Sequence, residues 1–206
     1  LWDKYPVMQV ASAEGYVRDP ELVIDFYNER RKQLLDVEPN AGHTGLAELE
    51  KDFNVTVVTQ NVDNLHERAG STHVIHLHGE LTKVCSSRDP YNPRYVRELK
   101  PEEYEVKMGD KAGDGSQLRP FIVWFGEAVP EIETAIGYVE KADIFVIIGT
   151  SMNVYPAAGL LNYVPRTAEV YLIDPKPVDT HSMRQIHVIQ KGASEGVKEL
   201  KTEILH

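Results

Sequence analysis

The sequence predicts an α/β protein built on a largely parallel sheet flanked by helices. Three observations carry that expectation. Short β-rich apolar runs recur along the chain, helical patterns stand between or after them, and the run DIFVIIG at 143–149 is apolar almost throughout, as a strand buried on both faces of a parallel sheet would be. Taken in order, residues 1–19 carry no clear period. Asp19-Pro20-Glu21 then supplies an N-cap, a proline at the first helical position and an acidic first turn. Leu22, Phe26, Arg30 and Leu34 follow at four-residue intervals, which predicts a helix from about Pro20 to about Asp36. Asn40 is suited to cap a second helix, with Leu46 and Leu49 on its apolar face. Residues 54–59, NVTVVT, predict a short buried strand, because valine and threonine side chains are restricted in a helix and favoured on a pleated surface.

Further strands are expected at 74–77 (VIHL), 121–125 (FIVWF), 143–149, 169–174 (EVYLID) and 187–190 (HVIQ), with 143–148 central in the sheet. Helical patterns cover about Val129 to Lys141, Pro156 to Asn162 and Ala193 to Leu205. Residues 84–118 differ in character. Their prolines, tyrosines, charges and glycine-rich turn fit either a small inserted module or an extended surface excursion.

The 206 residues are 42% apolar and 26% charged, which excludes both a charged disordered polymer and a membrane-spanning bundle. No run approaches the roughly 18 apolar residues that a transmembrane helix needs, and LWDKYPVMQV has no basic segment followed by an apolar stretch. A cytoplasmic protein without membrane partners is therefore expected. The formal charge of −10 argues against DNA or RNA as the main ligand. Cys85 is the single cysteine, so neither an internal disulfide nor a Cys-only zinc site can form within one chain.

Four segments carry candidate chemistry. Thr59 to His66 (TQNVDNLH) follows the first valine-rich strand, where an open α/β sheet usually binds its ligand, and offers amides and an acid for reading a polar small molecule. The bland alternative is a helix-capping loop. His73, His76 and His78 lie in THVIHLHGE. If this stretch is extended, His76 and His78 share a face and a metal cluster is conceivable. Alternatively, His78 beside Gly79 is an exposed general base, or the histidines are structural. Gly149 to Asn153 (GTSMN) follows the most apolar strand, and its backbone N–H groups and hydroxyls suit phosphate oxygens as well as ordinary capping. Asp174, at another strand end, can accept ribose hydroxyls or cap a turn. Together these spacings suggest a dinucleotide site, although Gly-x-Gly-x-x-Gly, the Walker loop and Gly-x-Ser-x-Gly are all absent.

Five segments together resemble the sirtuin family of NAD-dependent protein deacylases: PNAGH at 39–43, TQNVDNLHERAG at 59–70, HLHGEL at 76–81, LRPFIVWFGEAVP at 118–130 and GTSMNVYPAAGL at 149–160. They occur in the family's order over nearly the whole chain. The resemblance implies a Rossmann-like NAD-binding domain over residues 1–83 and 119–206, including a helical insertion at about 19–38. It also implies a small module at 84–118, here lacking the zinc cysteines. By the same resemblance Gln60, Asn61 and Asp63 contact NAD, and His78 is the catalytic histidine. Gly149, Thr150, Ser151 and Asn153 hold phosphate and ribose, Asp174 stands where many members have an asparagine, and Gly192 and Ala193 lie beside the adenine. The family's usual amino-terminal strand, Gly-Ala-Gly-x-Ser loop and Phe-Arg segment would precede Leu1-Trp2 and have no match in the chain.

The resemblance implies removal of acyl groups from protein lysines, giving nicotinamide and O-acyl-ADP-ribose. NAD is the implied cofactor and acyl-lysine proteins or peptides are the implied partners. Protein ADP-ribosylation and non-catalytic NAD or ADP-ribose binding are the alternatives. No structural zinc is expected, since Arg88 stands where the second cysteine of the first pair would be; Tyr91, Tyr95, Val96, Leu99 and Tyr104 are the expected apolar replacement. Tyr27 and Arg30 share a helix face at i,i+3. That Tyr-x-x-Arg spacing is similar to the substrate motif of sirtuins that remove succinyl and malonyl groups.

Overall fold

The structure is a computed structural model that describes residues 5–149, 157–180 and 184–206, with 157 and 158 described by backbone alone. Its described elements in chain order are α1 (Val7–Val10), α2 (Ala13–Arg18), α3 (Pro20–Leu34), α4 (Ala41–Glu48), β1 (Val57–Thr59), α5 (Leu65–Arg68), β2 (Val74–His76) and β3 (Gly79–Ser86). There follow β4 (Arg97–Glu98), β5 (Leu118–Ile122), α6 (Ile132–Val139), β6 (Ile144–Ile148), α7 (Ala157–Leu160), β7 (Glu169–Ile173), β8 (Ile186–Ile189) and α8 (Ala193–Ile204). The chain divides into two compact units.

The first unit comprises Leu1–Glu38, Thr59–Asn64 and His76–Pro130. Its longest helix, α3, starts as its sequence dictates: Asp19 Oδ1 accepts the Leu22 N–H at 3.2 Å and Pro20 occupies the first turn. The buried face is Val23, Ile24, Phe26, Tyr27, Asn28 and Arg31, broader than the predicted row of Leu22, Phe26, Arg30 and Leu34. A four-residue row marks one edge of a helical stripe rather than its centre, so the offset is expected of a helix contacted on both sides of that row. The two short helices before it were invisible as periodicity because neither is long enough to repeat, although Ser12 caps α2 by accepting the Gly15 N–H at 2.9 Å.

The sheet of this unit is antiparallel, in the order β4-β3-β5. The strand expected at 121–125 is displaced to Leu118–Ile122. The cause is where the later amides go: Trp124 N–H is taken by the Glu127 carboxylate at 2.9 Å and Phe125 N–H by the Ala11 carbonyl at 3.0 Å, so neither can extend the ladder to β3. Val10, Ala11, Val23, Phe26, Tyr27, Leu81, Ile122 and Trp124 form one core cluster. Ile24, Val84, Leu99, Val106, Ala112 and Leu118 form another. The tyrosine core expected for 84–118 is therefore corrected: of the five residues named for it only Leu99 is buried, while Tyr91, Tyr95, Val96 and Tyr104 are half-buried. A phenol hydroxyl needs a polar partner or water, as that of Tyr91 finds in the Glu127 carboxylate at 2.7 Å, whereas Val84 and Leu118 on paired strands are sealed from both sides.

The second unit comprises Pro39–Val58, Leu65–Ile75 and Glu131–His206. Asn40 begins α4 with a reciprocal cap, its Oδ1 accepting the His43 N–H at 3.0 Å while its own N–H donates to His43 Nδ1 at 3.0 Å. The described sheet is parallel, in the order β6-β7-β8, with Ile148 opposite Ile173 and Ile173 opposite Ile189. Among the described strands the central one is β7, with Val170, Leu172 and Ile173 fully buried, rather than β6, all of whose residues are half-buried. An uninterrupted apolar run reports contact on both faces and not a strand's place in the sheet order. Helix α8 packs Val197 and Leu200 with Leu49, Tyr171, Ile173 and Ile189.

Candidate active site

In the first unit the chain reverses at Leu77-His78. Leu77 N–H donates to the Thr59 carbonyl at 2.9 Å and Val123 N–H donates to the His78 carbonyl at 2.9 Å, fixing the turn from both sides. Gly79 completes it at φ +87°, and a Cβ there would lie 2.1 Å from the Phe121 carbonyl oxygen, so no other residue fits without moving the backbone. This turn overturns the extended reading in which His76 and His78 share a face. His76 instead sets Nδ1 3.0 Å from the Asn61 carbonyl and Nε2 3.9 Å from Glu80 Oε1. His73, in the second unit, pairs with Thr56 Oγ1 at 2.9 Å. Among the described residues neither His73 nor His78 joins a group able to hold a metal ion.

His78 is half-buried. Burial pushes its pKa below the usual imidazole range, and a hydrogen bond to the backbone of Gln60 works the other way. Because that bond favours the charged ring, its acceptor is the Gln60 carbonyl, which leaves the other ring nitrogen as a base that is neutral at pH 7. Thr59 Oγ1 accepts the Asn61 N–H at 3.0 Å and shapes the loop that follows. Asn61 itself is exposed, and Asp63 and Gln60 are half-buried. Two amide oxygens in this loop, Gln60 Oε1 and Asn64 Oδ1, are buried with no hydrogen-bond partner among the described residues. Such an atom costs about 1–3 kcal/mol unless a ligand or water meets it. The amide set thus fits a polar ligand rich in donors. Asn64 was missed at the sequence level, where the Gln-Asn-x-Asp pattern drew attention to its neighbours; its burial in the same loop is the signal that finds it.

Tyr27 and Arg30 stand one turn apart on α3. Tyr27 is 1% exposed, and its hydroxyl accepts the Trp124 indole N–H at 3.0 Å. Burial pushes the phenol up to about 12, so it keeps its proton at any physiological pH. Arg30 is half-buried. Burial lowers its pKa, while Tyr27 and Asp63 are close enough to raise it, which couples the arginine electrostatically to both.

In the second unit, strands β6, β7 and β8 run parallel, so their carboxyl ends share one edge. Gly149 follows β6 in the left-handed region at φ +62°, with open space where a Cβ would point, and its N–H donates to the Ile173 carbonyl at 3.0 Å. Asp174 follows β7; its Oδ1 accepts the Lys176 N–H at 2.8 Å, so one oxygen performs the turn-capping role named as its alternative. Gly192 is exposed at the N-cap of α8, and Ala193 begins that helix. The sheet thus brings Gly149, Asp174, Gly192 and Ala193 to one edge, the usual ligand edge of such sheets. Thr150, Ser151 and Asn153 lie outside the described residues.

A parallel sheet with loops and a helix N-terminus at its carboxyl edge belongs to the Rossmann-like α/β class. Residues 1–156 match the model of the Sir2 family. The chain is 84% identical over 201 residues to an NAD-dependent protein deacylase of Bacteroides thetaiotaomicron, covering 98% of this chain and 86% of that protein. It is 47% identical over 205 residues to an NAD-dependent protein deacylase of Helicobacter pylori, covering 100% and 87%. A solved complex of a Sir2 homologue with NAD superposes with a TM-score of 0.84 at 34% identity, covering 100% of this chain and 80% of that one. The chain belongs to the Sir2 family.

Proposed function

We propose that this protein is an NAD-dependent protein-lysine deacylase that acts on succinyl- and malonyl-lysine in preference to acetyl-lysine. The observation that carries the deacylase reading is that one unit holds a half-buried His78, neutral at pH 7, together with amide oxygens of Gln60 and Asn64 that are buried with no hydrogen-bond partner among the described residues. Bound NAD supplies an electrophilic ribose carbon and a nicotinamide leaving group. His78 accepts a proton from a ribose hydroxyl at the ring nitrogen not used for Gln60, a task for which a base neutral at pH 7 is suited. Gln60, Asn61 and Asp63 orient the nicotinamide and its ribose, where position matters more than ground-state affinity. Gly149, Thr150, Ser151 and Asn153 hold phosphate and ribose oxygens, Asp174 accepts ribose hydroxyls, and Gly192 and Ala193 lie against the adenine. The relatives' names support the deacylase reading, and the residue assignments rest on the motif order of the resemblance.

The acidic-acyl preference rests on Tyr27 and Arg30. A guanidinium binds a carboxylate through two parallel hydrogen bonds, and a protonated phenol adds a third, a geometry that lysine does not reproduce. Arg30→Met is expected to lower kcat/KM for a succinyl-lysine peptide more than tenfold relative to its acetyl counterpart, since a charge-assisted contact is worth about 2–5 kcal/mol when its partner is desolvated. An equal fall for both peptides, with the fold retained, would mean that Arg30 does not recognise the acyl carboxylate.

The 84–118 module is proposed to fold without zinc. Burial pushes the Cys85 thiol up to about 12, and its Sγ–H points to the Pro120 carbonyl at 3.7 Å, the opposite of a metal-ready thiolate. Ser86 Oγ instead accepts the Asp89 N–H at 2.9 Å and donates to Asp114, whose carboxyl is held down to about 2 by the Ser116 and Ser86 hydroxyls. Elemental analysis of folded protein is expected to find zinc well below stoichiometric. One tightly held zinc per chain, lost only on unfolding, is the contrary result.

A further inference from the structure

We infer that Trp124 is a positioning residue for acyl selectivity: its indole N–H occupies one acceptor site of the Tyr27 hydroxyl and so leaves the phenol's own proton for the acyl carboxylate. The inference rests on the acidic-acyl reading given above. An indole nitrogen donates and never accepts, so the 3.0 Å contact has only one direction. Among the described residues this is the hydrogen bond the Tyr27 hydroxyl makes, and at 1% exposure that hydroxyl has no bulk water to serve. A buried O–H whose oxygen is engaged and whose proton is uncommitted is a donor waiting for an acceptor. Receiving one hydrogen bond also polarises the hydroxyl towards donating the next.

Trp124 is itself immobilised by a buried network. The Arg119 guanidinium lies 3.9 Å from its ring centroid. Arg119 is held in turn by Glu127, with Nη1 to Oε2 at 3.0 Å and Nη2 to Oε1 at 3.2 Å, and by the Ile122 carbonyl at 2.7 Å. Glu127 Oε1 also accepts the Trp124 backbone N–H at 2.9 Å and the Tyr91 hydroxyl at 2.7 Å. Tyr16 packs against the indole at 5.2 Å between centroids. Backbone and ring of Trp124 are thus both fixed, and the direction of its N–H with them. The network ends at Tyr27 on the helix that carries Arg30, so it fixes the phenol one turn before that residue.

The test uses succinyl- and acetyl-lysine versions of one peptide and the full-length protein. Trp124→Phe, which keeps an aromatic ring over Arg119 and removes the N–H, is expected to lower the succinyl-to-acetyl ratio of kcat/KM by about tenfold, the worth of one hydrogen bond to a charged group. Tyr27→Phe is expected to lower it by a similar factor. The double variant should fall no further than either single one, because the two side chains act as a unit. Benzothienylalanine at position 124 keeps the shape of tryptophan without its N–H; it should reproduce the Phe result even if Trp124→Phe folds poorly. An unchanged ratio with benzothienylalanine, or single-variant losses that multiply in the double variant, would overturn the inference. If Arg30→Met shifts the ratio and the indole variants do not, only the role of Trp124 fails. If Arg30→Met leaves the ratio unchanged, the acidic-acyl reading fails and takes this inference with it.

Discussion

His78→Ala is expected to lower kcat/KM for deacylation by about 10²–10⁴-fold, the usual contribution of a positioned general base, with little change in Tm. The side chain is half-buried, and the turn it stands in is held by the Leu77 N–H donating to the Thr59 carbonyl and the Val123 N–H donating to the carbonyl of residue 78, backbone bonds that alanine retains. The pH profile gives an independent check. Burial lowers the His78 pKa below the ordinary imidazole range, so the ring is neutral at pH 7 and is lost as a base only when pH falls through that lowered value. The acid limb of kcat/KM should therefore lie below the range of an ordinary imidazole, and it should disappear in the alanine variant. An acid limb unaltered by the substitution would assign it to another group.

Arg119→Met is expected to destabilise the protein by about 3–5 kcal/mol in urea denaturation, because it leaves one member of a buried ion pair without its partner. Arg119 is 3% exposed and its partner Glu127 also holds the Trp124 amide and the Tyr91 hydroxyl, so several groups lose their common anchor. The pH dependence has a definite sign. Burial pushes the Glu127 carboxyl up, and the hydrogen bonds and charge of Arg119 more than reverse it, leaving the pKa below the usual carboxylate range. The pair's stabilisation is therefore complete above the unfolded-state value and is lost as pH falls through the depressed folded value. In Arg119→Met the opposing effect of burial remains, so acid unfolding should begin at a higher pH than in the parent. A loss under 1 kcal/mol, with the same acid midpoint, would show the pair to be dispensable. Replacing Glu127 with glutamine in the same variant should restore part of the loss, since it removes the stranded charge.

The parts of the fold that the sequence reveals are those set by local chemistry. Asp19 and Pro20 mark the start of α3, and Asn40 marks the start of α4, because capping is decided within one turn of chain. The parallel strands β6, β7 and β8 are visible as apolar runs between helical patterns. What stays hidden depends on distant partners. Arg119, the second residue of β5, carries no local sign of its partner Glu127, eight residues on. The Trp124–Tyr27 bond spans 97 residues and leaves no local trace. The turn at His78 follows the strand expected at 74–77, and the approach of the Phe121 carbonyl, which no local pattern carries, shows why glycine is needed at position 79. At the site, motif order drew attention to Gln60, Asn61 and Asp63, whereas Asn64 emerges from its buried, partnerless oxygen.

The central claim is tested most directly by mass spectrometry of the full-length protein incubated with acetyl-, succinyl-, malonyl- and long-chain acyl-lysine peptides, each with and without NAD. With NAD, the peptides should lose the acyl mass while nicotinamide and O-acyl-ADP-ribose accumulate, fastest for succinyl and malonyl; without NAD, no peptide should change. Equal product with and without NAD would contradict a deacylase that uses it. A peptide or protein gaining the mass of ADP-ribose would make the activity a transfer, and NAD binding without turnover of any peptide would make the protein a sensor.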